Sequence, residues 1–228
     1  MYKLRIKYHK EHHLRFVAHL EMVRLMERVF RRMGLPLRYT EGFNPHPRIS
    51  FASPLSVGVE SVAELLDVEL TAKMPVKEVL ARSVHALPKG LTFETAKYVE
   101  DKRSLMSLVA WAEYRVQVDC FVEAWRMKEL IAQVMALETL PVMKKGGKSD
   151  GKTVDIRPQI AEIDLLESPE GAALRMVLAN GSGGSLKPEL LVEALAALGQ
   201  TDMTVERVVR TNLYGMAEGR RIELLEIH

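Results

Sequence analysis

The chain has 228 residues, 47% apolar and 27% charged, a balance that suits one large or two small packed domains. One cysteine, Cys120, excludes an internal disulfide and a thiolate cluster for zinc or iron–sulfur, and the lack of any long apolar run leads us to expect a cytoplasmic protein with no membrane span or signal segment. The net charge of +2 hides an asymmetry: residues 1–52 hold 11 Lys/Arg against 4 Asp/Glu and the remainder 21 against 26, so a basic head sits on an acidic body and points to a polyanion, foremost RNA.

Residues 2 to 8 alternate Tyr2, Leu4, Ile6 and Tyr8 with Lys3, Arg5 and Lys7, the period of a half-buried strand whose second face is a row of cations. Ala18 to Met33 reads as a helix, with Met22, Val23, Met26, Val29, Phe30 and Met33 on one side, arginines on the other, and Gly34 to end it. A short strand is expected at Leu35 to Tyr39, then the stiff loop Gly42-Phe43-Asn44-Pro45-His46-Pro47, strands at Arg48 to Ala52 and Glu64 to Thr71, a helix from Val76 to His85 and a strand from Leu91 to Val99.

The second half repeats that order. A strand at Glu113 to Asp119 leads to a helix at Val122 to Ala136, strands near Thr139 to Lys144, Lys152 to Arg157, Ile160 to Leu166 and Ala172 to Ala179, a helix at Pro188 to Leu198 and a strand at Met203 to Thr211. One more strand is expected in the tail, Arg221 to Ile227, and a flexible loop at Gly181 to Ser185. The fold class is therefore α+β: two tandem ferredoxin-like (split βαβ) domains, 1–105 and 106–228, each with its helices on one face of an antiparallel sheet and the other face free.

Lys3, Arg5 and Lys7 on that free face would meet single-stranded RNA. Pairing with Asp67 and Glu69 across the sheet is the structural alternative. Arg24, Arg28 and Arg31 stand at i, i+4, i+7, a stripe suited to phosphates through forked donors, though a solvated helix face has the same pattern. His19 falls in the apolar stripe of its helix, either satisfied by a backbone carbonyl or meeting His46, whose loop is held by two flanking prolines. Two imidazoles beside Glu41 or Asn44 would serve as acid and base in RNA cleavage. His9, His12 and His13 fit no structural zinc spacing, so neither a metal nor another cofactor is expected. Lys144 to Lys152 lacks the spacing of a phosphate loop and reads as a basic hairpin loop.

The runs Arg15-Phe16-Val17-Ala18-His19-Leu20-Glu21, Tyr39 to Ala52 and Pro54 to Ser61, with the later Lys152 to Pro158, resemble the bacterial radical SAM-linked protein family, a family of unknown function, over nearly the whole chain. The resemblance marks Arg15, His19, Gly42, Phe43, Asn44, Pro45, His46, Pro47, Ser53, Pro54, Gly58 and Glu60 in the first half and Asp155 and Arg157 in the second. Members are encoded beside, or fused to, a cobalamin-binding radical SAM protein, often near ribonuclease G and ribosomal-protein genes. A radical SAM cluster is held by cysteine thiolates, and one cysteine cannot hold it. The resemblance thus implies a partner to such an enzyme.

The expected function is an RNA-binding accessory protein, for tRNA or rRNA, acting with a radical SAM RNA-modification enzyme; Lys3, Arg5, Lys7, Arg15, Arg24, Arg28, Arg31 and Arg48 are its phosphate-binding candidates. A metal-independent RNA-processing enzyme using His19 and His46 is one alternative. A protein-interaction adaptor that docks through Gly42 to Pro47 is another. Asp155 and Arg157, in a strand closed by Pro158, read equally as a structural ion pair.

Overall fold

The computed structural model describes residues 2–101, 103–143, 151–166, 172–181 and 183–227. They form two units, Met1–Val109 together with Asn212–His228, and Ala110–Thr211. A cut at 105/106 would leave residues 212–228 with the second half. They pack on the first instead, because Gly215 lies so close to the Leu108 carbonyl that an added Cβ would sit 2.6 Å from it, and because Arg5 takes the carbonyls of Leu224 and Ile227 as partners.

In the first unit β1 (Tyr2–Lys10) leads through a 3-10 turn (His12–Phe16) to α1 (His19–Arg32), β2 (Ile49–Phe51), β3 (Glu60–Leu70), α2 (Val76–Ala86), β4 (Leu91–Val99) and a single turn, α3 (Leu105–Leu108). The sheet order is β4–β1–β3–β2, every pair antiparallel. This is the split βαβ arrangement, in which a helix crossing separates two strands and a third slots between them. Leu4, Ile6 and Tyr8 of β1 join Leu66, Val68 and Leu70 of β3 beneath Met22, Met26 and Phe30 of α1, so the period-two and the 3.6-residue stripes close on one core. The helix stops where Gly34 takes φ +65° and the Leu35 N–H donates back to the Phe30 carbonyl at 3.3 Å, a left-handed C-terminal cap.

The second unit holds β5 (Trp111–Cys120), α4 (Ala124–Ala136), a small hairpin of β6 (Pro141–Met143) and β7 (Thr153–Asp155), β8 (Ile160–Leu166), β9 (Ala172–Gly181), β10 (Gly184–Ser185), α5 (Pro188–Gly199) and β11 (Met203–Ala217), whose residues 212–217 belong to the first unit and pair with β12 (Arg220–Glu223). Its order is β11–β5–β9–β8, the same as in the first unit. The fold is thus α+β with two ferredoxin-like repeats, and the β6–β7 hairpin is an insertion in the second. Most of the basic loop read at Lys144 to Lys152, and Ser182 of the Gly181 to Ser185 loop, fall outside the described residues.

Two expected elements differ. Leu35 to Tyr39 is not a strand but touches its neighbours through isolated bridges, Leu37 to Leu70 and Tyr39 to Pro47, since Pro36 interrupts any ladder of donors. The tail forms only Arg220–Glu223, because its later residues leave the sheet edge to meet Arg5.

Candidate functional site

The loop Gly42 to Pro47 is built from its base upward. The Arg38 N–H donates to the Glu69 carbonyl at 2.9 Å, the Arg48 N–H donates to the Arg38 carbonyl at 2.9 Å, and the Thr40 N–H donates to the His46 carbonyl at 2.9 Å while the Thr40 hydroxyl accepts the His46 N–H at 3.0 Å. These bonds zip the stem and leave Glu41, Gly42, Phe43, Asn44, Pro45 and His46 all exposed. Phe43 is fully exposed. Gly42, at φ +117°, makes the turn that a side chain would strain.

His46 ties this loop to α1: its Nδ1 lies 3.7 Å from Glu27 Oε1. Glu27 also takes Arg31 at 3.3 Å, one turn along the helix. Arg24 and Arg28 are exposed and, among the described residues, form no ion pair. The outward face of α1 therefore carries Arg24, Arg28, Arg31 and Arg32 against Glu21 and Glu27, next to a pinned loop that displays an aromatic ring.

The two imidazoles do not meet. His19, at the first turn of α1, packs edge-on against Phe51 with centroids 5.2 Å apart, whereas His46 is held at Glu27, eight residues or about 12 Å of helix rise further on. Among the described residues no group of three or more His, Cys, Asp or Glu could hold a metal.

The cation row on β1 is not an open surface. Arg5 is fully buried: Nε and Nη2 donate to Asp67 at 2.8 and 3.1 Å, and Nη1 donates to the carbonyls of Leu224 and Ile227 at 3.3 and 3.2 Å. All the donor groups that face a partner are used inside the unit, so Arg5 is excluded as a phosphate contact. Lys3 donates to the Asp101 carbonyl at 2.6 Å. Lys7 pairs with Glu94 at 2.9 Å; burial raises the Glu94 carboxyl, but bonds from His9 and Lys7 outweigh it and leave it below the usual range. Burial, and then the Arg5 charge, push the Lys97 ammonium down.

Other motif residues are structural fasteners. Glu60, buried, accepts the His12 N–H at 2.9 Å and lies 3.5 Å from Arg15 Nη1, while the Gly58 N–H donates to the Arg15 carbonyl at 2.9 Å. Together they lock the 3-10 turn onto the start of β3, and they let His12 hold φ +54°. Ser53 makes a long contact, 3.4 Å, to the Pro54 carbonyl. In the second unit Asp155 accepts the N–H groups of Leu140 and Arg157 at 2.7 and 3.0 Å, and Arg157 donates to the carbonyls of Met135 and Ile160 at 2.9 and 3.0 Å. Instead of pairing with each other through their side chains, they close the inserted hairpin and cap the end of α4, where a cation suits the helix carbonyls.

Three groups of residues escaped sequence reasoning. Glu27 anchors the loop, and only its place in the arginine stripe hinted at it. Arg175 gathers Glu113, Glu162 and Asp164, each at 2.8 Å; these stand at alternating positions of β5, β9 and β8, a signal that strand pairing makes readable. Asp101, with Arg103 at 2.7 Å, stands just before the expected domain boundary at 105/106, where no motif marks it.

Comparison with solved structures supports the fold. A chain of the crystal structure of a Cbf5-Nop10-Gar1 complex aligns with TM-score 0.57 at 10% identity, over 92% of this chain and 48% of that one. This chain therefore spans about half the length of its match, and the likeness is one of fold. An unknown protein from Galdieria sulphuraria aligns at TM-score 0.27 and 13% identity, over 90% of this chain and 97% of that one. No curated protein matches the sequence. Residues 3–188 match the family model described as an uncharacterized protein conserved in bacteria, DUF2344.

Proposed function

From the premise that the chain belongs to this bacterial DUF2344 family, we propose that it is an RNA-binding accessory protein whose contact surface is the outer face of α1 together with the loop Gly42 to Pro47. The observation that supports this reading is the fully exposed Phe43 on a stem zipped by backbone bonds, beside Arg24 and Arg28, which keep their charge free of any ion pair among the described residues. Water is a poor environment for an unpartnered aromatic ring, and helix stability does not require unpaired arginines at i, i+4. A single-stranded nucleic acid satisfies both, with a base stacked on the ring and phosphates on the guanidinium forks.

Arg31 joins this surface by exchanging Glu27 for a phosphate, and His46 holds the loop in register. Gly42, Asn44, Pro45 and Pro47 shape the loop rather than contact the ligand, since fixed φ at two prolines presents the tip at little ordering cost. The RNA would be tRNA or rRNA, and the enzyme served would be a radical SAM RNA-modification enzyme, which is what the sequence resemblance implies. With the imidazoles apart, the His19 and His46 acid–base pair has no shared site, and the protein we propose presents RNA to another enzyme.

Fluorescence anisotropy with labelled tRNA and rRNA fragments tests this. Phe43→Ala and the double change Arg24→Ala/Arg28→Ala should each weaken binding about tenfold or more while the RNA stays intact. Wild-type affinity in both would refute the surface.

A further inference from the structure

Two neighbouring cavities in the first unit share Lys3 and Glu69 in their walls. The larger, of about 610 Å³, is also lined by Tyr2, Tyr98 and Lys73; the smaller, of about 380 Å³, by Thr40, Arg48, Ser50, Arg103 and Ser104. Both volumes fall in the range of small-molecule sites. Their linings differ in kind. The larger sets two tyrosines beside Lys73 and the acidic Glu100 and Asp101, whereas the smaller sets Arg48, Arg103 and three hydroxyls beside Asp67.

In the larger cavity Tyr2 and Tyr98 meet edge to face, centroids 6.5 Å apart, with the Lys73 ammonium 5.4 Å from each ring. The Tyr98 hydroxyl exchanges two 2.8 Å bonds with the Met74 backbone, so its ring is fixed before any ligand arrives. A flat heteroaromatic group suits such a wall.

In the smaller cavity one buried donor is unspent. Arg48 Nε is buried with no hydrogen-bond partner among the described residues, and its ion-pair contact, Glu69 Oε2, is 3.9 Å away, beyond hydrogen-bond reach. A buried guanidinium N–H left unsatisfied is costly and calls for an acceptor. Asp67, the other carboxylate on this wall, is consumed by Arg5. Arg103 spends Nε and Nη2 on Asp101, and Lys3 faces the carbonyls of Asp101 and Arg103 at 2.6 and 3.4 Å. An anion with several oxygens would complete these shells.

We propose that the paired cavities bind one nucleotide, its base against Tyr2 and Tyr98 and its phosphate between Arg48 and Arg103. The Thr40, Ser50 and Ser104 hydroxyls would donate to phosphate oxygens, and the Glu69 carboxylate, in both walls, would accept from a ribose hydroxyl. Because Thr40 and Arg48 also form the stem of the Gly42 to Pro47 loop, an occupied cavity would brace that loop. The ligand is either a free mononucleotide or the 5′-phosphorylated end of an RNA, and the recognising chemistry is shared.

Isothermal titration with AMP, GMP, adenosine and inorganic phosphate on the full chain tests the proposal. AMP or GMP should bind, adenosine and phosphate should each bind at least tenfold more weakly, and Arg48→Gln and Tyr2→Ala should each lower nucleotide affinity tenfold with unchanged circular dichroism. Displacement of AMP by a 5′-phosphorylated ten-nucleotide RNA, but not by its 5′-hydroxyl counterpart, would assign the site to an RNA end. Lack of displacement would assign it to a free nucleotide. No AMP or GMP binding at millimolar concentration, or equal binding by a correctly folded Arg48→Gln, would overturn it. The site stands apart from the α1 surface: Arg24→Ala/Arg28→Ala should leave AMP binding intact, so either proposal can fail alone.

Discussion

Arg5 and Asp67 face each other across β1 and β3 as a fully buried, two-pronged ion pair, closed from above by the carbonyls of Leu224 and Ile227. The attraction within such a pair offsets a large desolvation cost only while both partners are present. We expect Asp67→Ala to destabilise the protein by about 3–5 kcal/mol, because it strands a buried guanidinium. Lys7→Ala, which breaks the partly exposed pair with Glu94, should cost no more than about 1 kcal/mol. Urea unfolding of the two variants measures the contrast, and equal effects would contradict the burial of Arg5.

Glu60 provides a second contrast. It holds the His12 N–H and the Arg15 guanidinium from a buried position, so Glu60→Ala should cost about 1–3 kcal/mol through unsatisfied buried groups. Arg15→Ala should cost less than about 1 kcal/mol, as a half-exposed partner. If Arg15 were instead a phosphate contact, its removal would weaken RNA binding with no effect on stability. Thermal melts and anisotropy on the same samples separate the two.

The Arg103 guanidinium holds the Asp101 carboxyl down at about 2, against an ordinary 3.8. A carboxyl depressed by folding contributes stability that is complete above its unfolded value and fades as pH falls toward its folded value. Wild type should therefore lose stability between about pH 4 and pH 2 relative to Asp101→Asn, and the two should differ by a constant amount above pH 5. Denaturant unfolding at pH 6, 4 and 2.5 checks the slope; a difference that does not change with pH would exclude this carboxyl as its source.

Much of the fold was legible because the sequence alternates cleanly where one sheet face is buried: Tyr2 to Tyr8, and the Met22, Met26, Phe30 stripe of α1, predict their own partners. The element order then gives the split βαβ repeat. For Arg5 alternation leaves two readings open, an RNA contact and a partner of Asp67, and the second holds. Period two assigns a residue to a face of the sheet, but what covers that face here is a segment more than two hundred residues away, Leu224 to Ile227. The arginine stripe was legible, since helix spacing alone fixes it. The partner of His46 was not: Glu27 is set by how the loop stem zips between Arg38 and Arg48, through backbone bonds that carry no side-chain signature. Asp155 and Arg157, in a strand closed by Pro158, read equally as a site and as a structural ion pair, yet each has its side chain committed to backbone groups.

The salt dependence of RNA binding tests the central claim most directly. Each phosphate neutralised on a single strand steepens the fall of log K with log salt by about 0.7. Wild type should show a linear decline across 50–300 mM salt, Arg24→Ala/Arg28→Ala should reduce its slope by about 1.4, and Phe43→Ala should lower affinity by about 1–3 kcal/mol with no change in slope. Undetectable binding to tRNA and rRNA at low salt, or a slope that the double arginine change leaves untouched, would contradict an RNA-binding surface on α1 and its loop.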